Sequence, residues 1–121
     1  MTEAGLPHGV RSGRLCGDPF PTIAEGERYD TLLAGSGIRI ERILSAGQVT
    51  APGEWYDQPG DEWVLLMEGQ ATIAFENGTL CTLKRGDWMF LPRHCKHRVE
   101  STSAGPGCIW LAVHATPPVR S

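Results

Sequence analysis

Four side chains that could bind a ligand or move a proton fall in two short stretches of the sequence. Tyr56, Gln58 and Glu62 lie in the first stretch, and His97 lies in the second. In each stretch these residues share their parity with the apolar residues that follow, so an extended chain would present them on one face. The pattern predicts a polar pocket, lined by these four side chains, at one mouth of a small barrel.

Glu62 and His97 each have a functional and a structural interpretation. Glu62 stands among apolar strand residues, where an ionised carboxylate is costly unless a cation, a metal or hydrogen-bond donors compensate it. It is either a ligand or general base, or the ion-pair partner of an arginine on a neighbouring strand. His97 either aims a ring nitrogen into the mouth or forms a hydrogen bond within the core. His94 either reaches the same mouth or faces water, and His114 is expected to hydrogen-bond the backbone.

Short strands separated by turns account for most of the chain. The alternation on both sides of Asn77-Gly78 predicts a hairpin with a type I′ turn. The uninterrupted apolar run at residues 108–114 predicts a final strand that is buried on both faces. Residues 38–47 predict a strand with a bulge or bend, because their alternation breaks at residues 43 and 44. No helix is indicated, so the sequence predicts an all-β barrel or sandwich.

The two stretches resemble the motifs of the cupin superfamily. The first cupin motif contains His-x-His, then Glu, and ends six residues later in Gly. Glu62 and Gly69 fall on this pattern, while Tyr56 and Gln58 occupy the two His positions. The resemblance covers residues 38–114 and implies a single-domain jelly-roll β-barrel with its site at the barrel mouth.

The second cupin motif resembles the stretch that begins at Gly86. Gly86, Pro92 and His97 fall on this motif, with His94 at a position that is usually Gly and Ser101 at the final Asn position. The spacing of His97 from the start of the motif favours its functional interpretation. Where the family binds a metal, these positions supply the ligands, which makes Glu62 and His97 the expected centre of the site.

The resemblance leaves two kinds of site open. In the first, Gln58, Glu62 and His97 hold a divalent manganese, iron, nickel or zinc ion, with Tyr56 as a fourth ligand, an acid or a hydrogen-bond donor. In the second, the same four side chains hydrogen-bond a small polar ligand in a metal-free pocket. The candidate walls of that pocket are Trp55, Trp63 and Trp88.

Length and composition indicate one domain. The chain has 121 residues, and its 15 Gly and 9 Pro indicate frequent turns between short segments. We predict an N-terminal arm at residues 1–24, a barrel at 25–116 and a C-terminal tail at 117–121. Because Leu15, Phe20 and Ile23 are apolar, part of the arm is expected to lie across the barrel or a partner subunit.

Charge, hydropathy and cysteine spacing argue against several classes of protein. The net charge is −3 and the arginines are scattered, which argues against nucleic-acid binding. No apolar run reaches the roughly 20 residues of a membrane span, and no signal peptide is indicated. The four cysteines lack metal-binding or disulfide spacing and are expected to be reduced. These features predict a soluble cytoplasmic protein.

Two function classes remain. The first is a small enzyme of the cupin type, metal-dependent or not, that acts on a small polar molecule by oxygenation, isomerisation or lyase chemistry, with Tyr56, Glu62 and His97 as catalytic residues. The second is a non-catalytic cupin that binds a small ligand without metal. Trp63, Leu65 and Met67 have the parity opposite to Glu62, so they would form an apolar outer face, and this face predicts a homodimer.

Overall fold

A computed structural model describes residues 5–119, which form a barrel of eight strands in two antiparallel sheets. The larger sheet has the order β1-β2-β8-β3-β6 and the smaller sheet has the order β5-β4-β7. The strands are β1 Arg28–Gly35, β2 Ile38–Ser45, β3 Asp61–Glu68, β4 Gln70–Phe75, β5 Leu80–Lys84, β6 Trp88–Leu91, β7 His97–Thr102 and β8 Cys108–Ala115. The helical structure described is a three-residue 3₁₀ turn at Ile23–Glu25. The predicted all-β jelly-roll barrel is confirmed.

The hairpin predicted at Asn77-Gly78 joins β4 to β5, but the predicted type I′ turn is wrong. The Phe75 N–H donates to the Thr79 carbonyl, and the Gly78 N–H donates to the Phe75 carbonyl, each at 2.9 Å, which makes a three-residue loop. Gly78 has a φ of 90°, whereas Asn77 is not in the left-handed region that a type I′ turn requires. The Asn77 Oδ1 instead accepts a hydrogen bond from the Thr79 N–H at 3.0 Å.

Strand β2 is regular, and the bulge predicted within residues 38–47 is wrong. All eight residues of β2 pair with β8 without a register shift. The irregularity lies in the neighbouring strand β1, between Thr31 and Leu33. Strand β1 is an edge strand that the sequence pattern does not indicate, because most of its residues are exposed on both faces. The break in alternation along β2 reflects burial of both of its faces near Leu44.

The final strand lies inside the larger sheet, as its apolar run predicts. Strand β8 pairs with β2 on one side and β3 on the other. Its inward residues Trp110 and Ala112 are buried against Val64 and Leu66 of β3 and Ile73 of the smaller sheet. The core therefore fills the space between the sheets, and β8 carries the side chains that connect the core to the barrel mouth.

The N-terminal arm contacts the barrel at Arg42, whose side chain is buried on the outer face of β2. The Arg42 guanidinium lies 2.7 Å from the Asp18 carboxylate and donates to the Leu15 carbonyl at 3.2 Å. It also pairs with Asp30 of β1 at 2.5 Å. The Phe20 ring packs against Gly107 at the start of β8. This segment therefore lies across the same chain's larger sheet, where it covers the outer face of β2 and β8.

The outer face of β3 remains partly uncovered. Trp63, Leu65 and Met67 are half-buried on the face opposite Glu62, as their parity predicts. The Trp63 ring stacks on Trp88 of β6 with 6.2 Å between ring centroids, and Trp88 is 60% exposed. An apolar patch of this kind can accept another protein surface.

Among residues 5–119 there is no helix with the length and apolar character needed to cross a bilayer.

Gly69, which joins β3 to β4, provides a test of the packing at this turn. Gly69 and Gly78 have φ values of 88° and 90°, so alanine is strained at either position, by about 1–2 kcal/mol. A Cβ at Gly69 would also lie 2.7 Å from the Gly107 carbonyl oxygen, whereas nothing lies within 4 Å of a Cβ at Gly78. We expect Gly69→Ala to lower the free energy of unfolding by about 1–3 kcal/mol more than Gly78→Ala, measured by urea denaturation. Equal losses in the two variants would contradict this packing.

Candidate functional site

A cavity of about 90 Å³ opens at one end of the barrel, between the two sheets. Tyr56, Gln58, Glu62 and His97 all line it. The structure therefore brings together all four side chains that the sequence places on one wall. Their roles as ligands or catalysts remain a proposal. Apolar and polar side chains both line the cavity, which is the usual composition of a small-molecule site.

Four further polar residues line the cavity, and the sequence analysis did not assign them to it. They are Glu27, Tyr29, Glu41 and His114. Glu41 and His114 lie on β2 and β8, the strands that lead from the core to the mouth. The sequence feature that indicates a cavity position for His114 is its parity, which it shares with the buried Trp110 of the same strand.

His114 lies directly beside Glu62 in the sheet, since the two residues are paired in register between β8 and β3. Its Nε2 lies 2.9 Å from the Glu41 Oε1 and 4.0 Å from the Glu62 Oε2. The prediction that His114 bonds the backbone is therefore wrong. Its ring instead lies between two carboxylates, a contact that depends on pairing between strands and not on local sequence.

Glu62 is the least compensated charged group of the cavity. The residue is 8% exposed, and no hydrogen bond to its carboxyl is found among residues 5–119. Its one ion-pair contact in that part of the chain is the long one to His114, so the arginine partner considered from sequence is not present. Burial raises the pKa of Glu62, against the opposing effects of His114 and His97. A buried carboxyl of this kind holds its proton to higher pH than an ordinary glutamate.

His97 is buried, and its backbone and ring are both fixed. Its Nδ1 lies 2.8 Å from the Cys95 carbonyl oxygen, which can only accept, so Nδ1 carries the proton in the neutral ring. Its ring stacks on Tyr56, with centroids 5.5 Å apart. No hydrogen bond to Nε2 is found within the described residues, which leaves Nε2 as the basic nitrogen of the ring. This tautomer suits a proton acceptor.

Backbone hydrogen bonds hold the two motif stretches side by side. The Tyr56 N–H donates to the His97 carbonyl at 2.8 Å, and the His97 N–H returns a bond to Tyr56 at 3.2 Å. The His94 N–H donates to the Gln58 carbonyl at 2.8 Å. His94 has a φ of 58°, the conformation that favours glycine, and its exposed ring contacts Asp57 at 2.8 Å. Of the two alternatives for His94, the structure therefore supports the one in which it faces water.

A hydrogen-bonded network closes the side of the cavity next to β1. The Tyr29 hydroxyl donates to Glu27 Oε1 at 2.9 Å, and Ser45 bonds the other oxygen of Glu27. The Trp110 Nε1–H donates to the Ser45 hydroxyl at 3.2 Å. Burial, together with Glu27 and Tyr56, raises the pKa of Tyr29, so the phenol remains protonated. Glu27 is satisfied by these donors, in contrast to Glu62.

The tryptophan walls predicted for the pocket are wrong. Trp110 lines the cavity, whereas Trp55, Trp63 and Trp88 do not. Trp63 and Trp88 stack on the outer face of the larger sheet. Trp55 lies near the Arg98 guanidinium, 6.0 Å from its ring centroid. The parity of a strand separates its two faces, but it does not tell which tryptophan faces inward.

The donor atoms at the mouth do not fit a metal centre. Within residues 5–119 no group of three or more His, Cys, Asp or Glu side chains is placed to hold a metal ion. Gln58 would add only a neutral oxygen, and the His114 Nε2 is already paired with Glu41. Glu62 and His97 remain as one carboxyl and one imidazole that line the same cavity.

Comparison with known proteins adds a family match and a close structural relative. The model of the cupin domain family matches residues 42–114. A crystal structure from Ralstonia eutropha JMP134, described as that of a candidate mannose-6-phosphate isomerase, is 43% identical in sequence. It superposes with a TM-score of 0.81, and the alignment covers 88% of this chain and 98% of that one.

More distant structures share the fold alone. A cupin superfamily protein from Desulfitobacterium hafniense DCB-2 is 16% identical, with a TM-score of 0.67 over 91% of this chain and 94% of that one. The polyketide cyclase RemF from Streptomyces resistomycificus is 19% identical, with a TM-score of 0.64 over 80% of this chain and 71% of that one. No curated protein matches this sequence.

The burial of Glu62 generates a pH-dependent prediction for stability. Its pKa in the folded protein is above the unfolded value of 4.5, so the folded state binds the proton more tightly and loses stability as pH rises through the folded pKa. Glu62→Gln removes this loss. Its free energy of unfolding, measured in urea, should therefore rise relative to wild type between pH 4.5 and 8, by about 1.4 kcal/mol for each unit by which the pKa is raised.

The control is Glu54→Gln, which removes the same charge from an exposed position outside the cavity. A Glu62→Gln protein that loses stability relative to wild type as pH rises would show that the carboxylate is compensated, and would contradict this account.

Proposed function

The chain belongs to the cupin domain family, and from that premise we propose that its cavity is a proton-transfer site acting on a small polar molecule. The observation that carries this proposal is the buried Glu62 carboxyl, which has no hydrogen-bond partner among the described residues and lies in the same cavity as the His97 ring. A polar group left in this state calls for a ligand to complete its hydrogen bonds. The reaction class is isomerisation or a lyase reaction by general acid–base catalysis.

Glu62 and His97 have complementary proton states. Burial raises the pKa of Glu62 and so favours its protonated form, and we assign this group as the acid. The bond from His97 Nδ1 to Cys95 leaves Nε2 as the base. A substrate between them would lose a proton from carbon to Nε2 and gain one at its carbonyl oxygen from Glu62. The product is an enol, which can return the proton to the neighbouring carbon or expel a leaving group.

The remaining polar residues position the ligand and tune the acid. Tyr56 and Gln58 offer a hydroxyl and an amide on the wall next to His97, so they can bind hydroxyl or carbonyl groups. His114 Nε2 lies 2.9 Å from Glu41 Oε1, and the charge of Glu41 adds to burial in raising the pKa of Glu62, whereas His114 and His97 oppose that rise.

The size and charge of the cavity limit what it admits. Its volume is about 90 Å³, which suits a small molecule or one end of a larger one. Glu27 and Glu41 line it beside the Glu62 acid, and no lysine or arginine is among its lining residues, so the interior is unfavourable for a phosphate or carboxylate. The description of the 43% identical protein as a candidate isomerase supports the reaction class. The cavity alone does not match a phosphorylated sugar.

The apolar outer face supports a homodimer. Trp88 and Phe90 are 60% and 40% exposed on the same side of the larger sheet as the half-buried Trp63. Burying this patch against a second copy would remove aromatic surface from water. Sedimentation equilibrium should give twice the chain mass of 13.2 kDa, and Trp88→Glu should shift the protein to one chain. A wild-type monomer at micromolar concentration would contradict the dimer.

Solvent exchange tests the proposed chemistry without knowledge of the natural substrate. Wild-type protein is expected to exchange carbon-bound protons of small hydroxy aldehydes and ketones, such as glycolaldehyde and dihydroxyacetone, for deuterium from D₂O. Glu62→Gln and His97→Gln should each lower this rate by about 100-fold or more, because each removes one partner of the proton transfer. Deuterium content is read by NMR and mass spectrometry.

His8→Gln is the matched control, since it changes an exposed histidine of the arm that does not line the cavity. Metal analysis by plasma mass spectrometry accompanies each variant. Full exchange in both cavity variants would overturn the proposal. Stoichiometric manganese, iron, nickel or zinc that is lost in His97→Gln together with activity would favour the metal-dependent alternative. Saturable binding without exchange would favour a non-catalytic binding protein.

A further inference from the structure

A second cavity of about 200 Å³ lies beside the proposed proton-transfer site. Gln58 and His114 line both cavities, so the two spaces are adjacent at the barrel mouth. The second cavity is also lined by Arg39, whereas no cationic arginine or lysine lines the first. The mouth therefore has an inner, carboxylate-lined chamber and an outer chamber with a guanidinium.

Arg39 belongs to the same row of side chains as the acid of the inner chamber. Arg39 of β2 is paired in register with His114 of β8, and His114 is paired with Glu62 of β3. Residues paired in this way point to the same face of a sheet, with Cβ atoms about 5 Å apart. A guanidinium, an imidazole and a carboxyl thus stand in order across three strands, from the outer chamber to the inner one.

The guanidinium of Arg39 has unused donors. Its Nε lies 3.7 Å from Glu41 Oε2, which is beyond hydrogen-bond distance, and no hydrogen bond from its guanidinium is found among residues 5–119. By contrast, Arg42 and Arg93 donate to oxygens of the protein. The Arg39 side chain is 49% exposed, so a ligand in the outer chamber can reach it.

The two chambers together select one orientation for an anionic ligand. Glu27 and Glu41 make the inner chamber unfavourable for an anion, while Arg39 attracts it to the outer one. The planar guanidinium can bind a carboxylate or a phosphate with two parallel hydrogen bonds.

We propose that the site binds a small hydroxy or oxo compound with an anionic end, carboxylate or phosphate, which Arg39 holds in the outer chamber. The neutral end of the same molecule enters the inner chamber and meets Glu62 and His97. This inference rests on the proposed proton-transfer function and adds the substrate class to it. It also accounts for how a ligand larger than the inner cavity uses the site.

The test compares three probes that share one three-carbon frame: glycerol, glycerate and glycerol 3-phosphate. Dissociation constants for the full-length protein are measured by NMR titration for wild type, Arg39→Met and Arg85→Met. Arg85 is the matched control, because it is exposed and lines neither cavity, while its substitution removes the same charge. At least one anion is expected to bind wild type about tenfold or more tighter than glycerol.

Arg39→Met should remove that preference, leave glycerol binding unchanged and exceed any effect of Arg85→Met. A preference for glycerate alone or for glycerol 3-phosphate alone identifies the anion as carboxylate or phosphate. Equal affinity for all three probes, no binding of any of them, or equal losses in the two variants would overturn the proposal. Failure of the proton-transfer function would give a different result. Deuterium exchange would then be unchanged in Glu62→Gln, while wild-type protein would still bind the anion more tightly than glycerol.

Discussion

The burial of one carboxyl group without a hydrogen-bond partner in the described chain is the constraint on which the site depends. Glu62 extends from β3 of the larger sheet into the cavity, where no donor among residues 5–119 forms a hydrogen bond with its carboxyl. Burial disfavours the ionised form and thereby raises the pKa of the group. Perturbed groups of this kind are concentrated at functional sites, and His97 is the base of the proposed proton transfer.

The architecture of the larger sheet explains why this carboxyl is surrounded by other titratable groups. The strand order places β8 between β2 and β3, so His114 lies next to Glu62 and opposite Arg39. Two backbone hydrogen bonds join Tyr56, which precedes β3, to His97, the first residue of β7. The groups of the proposed proton transfer and the Arg39 guanidinium are therefore positioned by backbone pairing, which gives a rigid site.

The local parts of this arrangement are predictable from sequence. Alternation and turn residues indicate the hairpin at Asn77-Gly78, the buried final strand and the shared face of Tyr56, Gln58 and Glu62. These features depend on the period of a strand and on residues close in sequence. Even in the hairpin, the loop conformation differs from the predicted type I′ turn. A third residue, Glu76, belongs to the loop, so Asn77 does not need a left-handed conformation.

The contribution of distant strands is not predictable in the same way. His114 and Glu41 enter the site through the pairing of β8 with β3 and β2, which joins residues more than fifty positions apart. Alternation shows that a strand has two faces, but it does not show which face is inward. For this reason it does not identify the tryptophan that lines the cavity, which is Trp110 and not Trp63. Edge strand β1 has little burial pattern, so periodicity does not indicate Tyr29 of β1 or Glu27, which directly precedes it.

The protonation state of Glu62 can be observed directly through the carbon-13 shift of its carboxyl in selectively labelled protein. This resonance is expected to titrate above the ordinary value of 4.5, because burial disfavours the ionised carboxylate. Assignment by comparison with Glu62→Gln identifies the resonance. A Glu62 carboxyl that titrates at or below 4.5 would show a compensated carboxylate and would contradict the central claim.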